Sequence, residues 1–170
     1  MNASTKSSVV TPDSVQLQDF TRRLTLQFDW SDDRFVHRLV DAAAAVLQSV
    51  PGDCQQAWPS SPPLQQLSLE SIGQCDVVLG VGCAGTSHWS VSVEPIEGGF
   101  RFDWACKSKE TPQSLGTRYR LSDDFEFSVG QDGRVEQDAG FVSVHPVEPL
   151  LGSKTYRWSY SVRAKLTRTQ

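Results

Sequence analysis

Residues 31–50 read SDDRFVHRLVDAAAAVLQSV, and Pro51-Gly52 follows them. The fold class turns on how this stretch buries its apolar side chains. Phe35, Val36, Leu39, Val40, Ala43, Val46, Leu47 and Val50 recur at intervals of three and four, the spacing that stacks side chains along one face of an α-helix. Arg34, His37, Arg38, Asp41 and Gln48 fall on the opposite face. Ser31 or Asp32 offers an N-cap oxygen, Asp32 and Asp33 place negative charge where a helix dipole favours it, and Pro51-Gly52 supplies a stop. The spacing predicts one N-terminal helix, with Ala42 to Ala45 small enough for a sheet to lie close against it.

On the N-terminal side, Leu24, Leu26 and Phe28 alternate with Arg23, Thr25 and Gln27, which predicts a half-buried strand over 22–29. Residues 1–18 are rich in Ser and Thr and carry no apolar period, so they read as a mobile tail, with one domain over 19–170. On the C-terminal side, 51–66 holds four prolines and Trp58 and reads as a long loop. Beyond it the alternation is of period two almost to the end, predicting strands over 67–71, 76–83, 88–94, 100–107, 117–122, 125–129, 134–137, 140–144 and 155–167. A hairpin closed through Pro95 to Gly98 sets Val93 opposite Phe100, Val91 opposite Phe102 and Trp89 opposite Trp104. Joining the preceding strand through Ala84 to His88 sets Cys83, Val81 and Leu79 on the same apolar face.

Composition narrows the partners. With 38% hydrophobic and 21% charged residues in a 170-residue chain, usage is that of an ordinary globular domain large enough for one core. A net charge of −4 gives no electrostatic reason to expect nucleic acid or an anionic membrane as partner. No apolar run is long enough to span a bilayer, and 1–18 lack the apolar core of a secretory signal, so the expected location is the cytoplasm. Cys54, Cys75, Cys83 and Cys106 form no CxxC pair and read as reduced thiols.

Candidate chemistry is sparse. Phosphate-cradling, nucleophile-elbow and zinc-protease motifs do not occur. Cys75, Cys83, His88 and Cys106 are zinc-type residues at none of the usual short spacings, so no metal or cofactor is expected. His37 lies one helical turn from Asp41, which reads as a solvated pair, and His145 stands before Pro146 at a strand end. Gly80, Gly82 and Gly85 read as bending or turn glycines. Arg157, Arg163, Lys165 and Arg168 share one face of the last strand, a solvated outer face able to bind an anion.

The aromatic set carries the functional expectation. Trp89, Trp104 and Trp158 fall on inward positions and Trp58 sits in the loop able to cover them. One helix followed by an antiparallel meander of at least six strands describes an α+β fold in which the sheet curls around the helix. In outline this resembles the helix-grip and cystatin-like layouts, although the helix-grip proteins end on a long helix that 155–170 do not provide. The expected function is a non-catalytic domain binding an apolar small molecule or a protein partner. Its ligand would lie between helix and sheet against Trp89, Trp104 and Trp158, with Trp58 at the entrance. The alternative is an enzyme with an active site in the same concave face and no familiar motif.

Overall fold

A computed structural model describes residues 11–166. Among the described residues there are thirteen strands in three antiparallel sheets and no helix. β1 (Val15–Gln18), β2 (Leu24–Ser31), β3 (Arg34–Asp41) and β4 (Val46–Gln48) pair in that order. The largest sheet is the meander β5 (Gln66–Ile72), β6 (Cys75–Ala84), β7 (Ser87–Ile96) and β8 (Gly99–Lys107), extended beyond β8 by β13 (Thr155–Ala164) and then β10 (Phe125–Val129). The third has the order β11 (Gly133–Asp138), β12 (Phe141–Pro146), β9 (Thr117–Arg120). Ser49 bridges Tyr119, and the Val50 N–H donates to the Arg118 carbonyl, so the first and third sheets continue one another. Together they pack face to face against the six-stranded sheet, and one hydrophobic cluster draws residues from all three.

The expected helix is absent, and with it the α+β class and the helix-grip outline: residues 31–50 form two hairpins. Ser31 pairs with Arg34 across a two-residue turn in which Asp32 adopts φ 57°. The acidic pair that reads as a helix start is therefore a hairpin turn, where Asp tolerates the left-handed region. The alanine run is the next turn, with Ala44 at φ 66° and the Asp41 carboxylate accepting from the Ala43 N–H. Phe35 and Leu39, four residues apart, share a face under helical and strand periods alike, and both are buried. The distinction rests on their neighbours. Val36 and Val40 lie on the outer side and are only half-buried, whereas His37 and Asp41 are buried on the inner side. Two valines outside and two polar residues inside imitate a helical stripe.

His37 is tolerated inside because the opposing layers give it partners. Its Nε2 lies 2.8 Å from the Tyr119 hydroxyl, which lies 2.6 Å from the Tyr160 hydroxyl, and the Trp104 indole donates to that same oxygen at 3.2 Å. The chain joins β3, β9, β13 and β8 and so stitches all three sheets through the middle of the core. Burial pushes His37 down to about 3 and Tyr160 up to about 12, and raises Tyr119 well above its usual value. All three stay neutral at physiological pH, as a hydrogen-bonded chain in a low-dielectric interior requires.

The strands expected beyond residue 66 are present, although the last ends at Ala164 and the expected residue Thr167 lies outside the described residues. The β7–β8 hairpin has the expected face but a register two residues further on, with Trp89 facing Cys106, Val91 facing Trp104 and Val93 facing Phe102. β6 is shifted by one, which reverses it: Val78, Gly80 and Gly82 pair with Val93, Val91 and Trp89, leaving Leu79, Val81 and Cys83 on the outside. The cause lies in the 51–65 loop. A Cβ on Gly82 would sit 1.8 Å from the Pro63 carbonyl oxygen, and one on Gly80 would meet Leu67 and Val91 at 2.7 and 3.0 Å. Gly82 faces inward because the Pro63 backbone passes over it, and Gly80 because the side chains of Leu67, Val91 and Leu64 fill the space a Cβ would take. At the other end, residues 15–18, placed in the tail by periodicity, form edge strand β1 with Leu17 buried.

Candidate functional site

The four tryptophans of the sequence reading come together in part. Trp89, Trp104 and Trp158 are 3%, 2% and 0% exposed, all on the inner face of the six-stranded sheet. Trp104 stacks on its cross-strand partner Trp158 at 6.2 Å between ring centroids, beside Phe102 on Tyr160 at 5.1 Å. Trp58 is half-buried, with its ring edge-on to Trp89 at 6.1 Å. No helix exists among the described residues to form the second wall of a cup; the opposing face is filled by Phe28, Phe35, Leu39, Leu47 and Tyr119. His145 is held by the Leu115 carbonyl at 2.9 Å and faces Glu136 at 3.5 Å, away from all four tryptophans.

The concavity is on the other side of the same sheet. A groove of about 660 Å³ crosses the outer face of β6, β7, β8 and β13, within the range of small-molecule sites. Register lays out its floor in two rows. Val81, Ser90, Ala105 and Arg157 are successive cross-strand partners, and Cys83, His88, Lys107 and Thr155 form the row beside them. Ser90 and Ala105 are short, so the middle of the floor is low, while Val81 on one side and Arg157 on the other stand above it. Gln65 and Gln66 close the β6 end. Gln65 is fixed there, since its amide oxygen accepts from the Cys83 N–H at 2.7 Å and its amide nitrogen donates to the Cys83 carbonyl at 3.1 Å. A smaller continuation runs along the next row over Leu79, Ser92 and Asp103.

The electrostatics of the groove are lopsided. Lys107 and Arg157 stand on adjacent strands at one side, both exposed, and among the described residues neither forms an ion pair with a carboxylate. Asp103, in the next row of the floor, is already held by Arg101 at 3.1 Å, and Asp132, beside Arg157, accepts from the Ser159 hydroxyl at 2.8 Å. Cys83 and His88 are cross-strand partners, yet no hydrogen bond joins thiol to imidazole, so the groove carries no nucleophile engaged with a base. No group of three or more metal-type side chains gathers among the described residues. Cys106 points inward, as the alternation of β8 has it, and is fully buried, with burial pushing its thiol up to about 12; Cys83, expected on that same inner face, lies exposed on the outer one.

Of the groove residues, Arg157 was legible as a cation on the outward face of the last strand, and Lys107 follows from the alternation of β8. Val81 and Cys83 were placed on the wrong side by the one-residue shift of β6, so no groove was visible. The signal that points to it is the paired Gly80 and Gly82, whose small size marks an inner face crowded by the loop. No family model matches this chain, and no curated protein and no solved structure does either.

Proposed function

We propose that the protein is a non-catalytic binding module that takes a small anionic ligand with an apolar body in the outer groove of its six-stranded sheet. The observation that supports this reading is the pair of unpartnered cations, Lys107 and Arg157, at the side of a low floor made by Ser90 and Ala105. A carboxylate between them would gain two charge-assisted contacts, and Arg157 presents a planar fork suited to it. Val81, Ala105 and the Cys83 side chain offer the apolar remainder of the ligand a surface, and the Gln65 and Gln66 side stops it.

Titration calorimetry with a panel of medium-chain and aromatic carboxylates, each beside its neutral amide, tests the reading. Binding of the acids but not the amides, weakened by added salt and abolished by Arg157→Glu, is the expected result. Equal binding of acid and amide, or no binding to either, would overturn it.

A further inference from the structure

The two layers end on four strand edges, and three of them are blunted. β1 is four residues long, too short to template much pairing. β11 alternates Arg134, Glu136 and Asp138 along one side, and β10 has β11 packed beside it. Charge, shortness and cover are the usual protections of a free edge. β5 has little of this. It runs for seven residues as Gln66, Leu67, Ser68, Leu69, Glu70, Ser71 and Ile72, without proline, lysine, arginine or glycine. Leu69 and Ile72 are 49% and 57% exposed, and on the adjoining β6 Leu79 and Val81 are 38% and 48% exposed. An edge of this kind is a template for another strand.

The sequence of β5 fits one strand in particular, which is itself. Antiparallel pairing about a twofold axis at Ser68 sets Ser68 against Ser68, Leu67 against Leu69 twice, and Gln66 against Glu70 twice. The apolar pairs fall on the inner-layer side and the amide-to-carboxylate pairs on the outer side. The two Glu70 side chains, the only charges on the strand, are then four residues out of register, about 13 Å apart. No like charges meet, and every directly opposed pair is compatible. We propose that β5 is a self-association edge, joining two copies of this chain into a continuous twelve-stranded sheet. Both grooves then lie on one face, related by the twofold.

Ser68 is the decisive position because it meets its own copy on the axis, while in a single chain it is exposed. Sedimentation over a wide concentration series should show a reversible dimer, as a single strand pair buries a small interface. Ser68→Lys brings two ammonium groups face to face and should weaken association by about tenfold. Gln66→Lys opposes Glu70 of the second copy and should strengthen it, with the gain lost at high salt. Ser68→Cys, in a chain with Cys54, Cys75 and Cys83 replaced by Ser, should form a disulfide-linked dimer under air. A monomer at every concentration overturns the proposal. So does a dimer that ignores the lysine substitutions and fails to cross-link at Ser68. If Ser68→Lys lowers the melting midpoint of the monomer, the cross-link alone decides.

Discussion

Strands β8 and β3 face each other across the core and divide their labour differently. β8 turns Phe100, Phe102, Trp104 and Cys106 inward and Arg101, Asp103, Ala105 and Lys107 outward, a clean separation of apolar from polar. β3 turns Phe35, His37, Leu39 and Asp41 inward and Val36, Arg38 and Val40 outward, mixing both kinds on both faces. The large sheet thus supplies aromatic volume, while the small one supplies a buried histidine that pins its position relative to the large one through Tyr119 and Tyr160. Apolar packing alone tolerates sliding, whereas a hydrogen-bonded chain through a core has one satisfied arrangement.

The sharpest test of the large sheet compares adjacent residues on opposite faces of β13. Trp158 is fully buried and Arg157 is exposed in the groove. Trp158→Ala should cost about 3–5 kcal/mol through lost burial and the cavity left behind, and Arg157→Ala less than about 0.5 kcal/mol. Denaturant unfolding of the two variants measures both. Similar values would mean that β13 does not separate its faces.

The small sheet should betray itself by pH. His37 has a folded-state value of about 3 against an ordinary 6.5, so below 6.5 the unfolded chain takes up a proton that the folded chain refuses. Stability should be full above pH 6.5 and fall by about 1.4 kcal/mol per unit as pH drops toward 3. Asp19 acts in a lower window. Burial alone would raise its carboxyl, but hydrogen bonds from Thr21, Leu24 and Gly98 outweigh burial and hold it below 3.8, so its contribution is lost only under stronger acid. In His37→Gln the slope above the carboxylate range should vanish while the Asp19 limb remains. An unchanged slope would place His37 at the surface, as a helix does.

Removing residues 1–18 deletes β1, the strand paired with Leu26 and Phe28, and the loss of Leu17 burial alone predicts about 2 kcal/mol. Removing only 1–14 should leave the melting midpoint unchanged. Equal behaviour of the two truncations would show that β1 contributes nothing to its sheet.

The contrast between β8 and β3 also explains what was legible in the chain. Beyond residue 66 most strands have one apolar and one polar face, so their positions follow from alternation and the β7–β8 pairing slips only in register; β6 is the exception, with Leu79 and Val81 outside and two glycines inside. Trp89, Trp104 and Trp158 were recognisable as inward residues for the same reason. In 31–50 that contrast fails, because Val36 and Val40 sit outside while His37 and Asp41 sit inside, His37 held by Tyr119 from a strand distant in sequence and Asp41 by the turn it opens. The groove was hidden for a related reason: it needs β6 turned over, and Pro63, which forces the turn, lies in a loop whose path no local pattern sets.

The smallest expected effect discriminates most cleanly between the two readings of that stretch, because it changes sign. Ala44 sits in the β3–β4 turn at φ 66°, where a Cβ is strained and glycine is not. Ala44→Gly should therefore stabilise the protein by roughly 0.5–1 kcal/mol, the relief of strain exceeding the extra entropy of the unfolded glycine chain. In the interior of a helix the same substitution costs about 1 kcal/mol. Nothing else need change between the two cases: the side chain is exposed, its removal leaves no cavity, and no hydrogen bond uses it. Ala43→Gly serves as the control, since Ala43 is outside the left-handed region and its N–H is already held by the Asp41 carboxylate. It should be neutral or mildly destabilising. A rise in unfolding midpoint for Ala44→Gly with none for Ala43→Gly marks a hairpin turn at Ala44. A matched fall in both would restore the helix and undo the contrast between the two sheets.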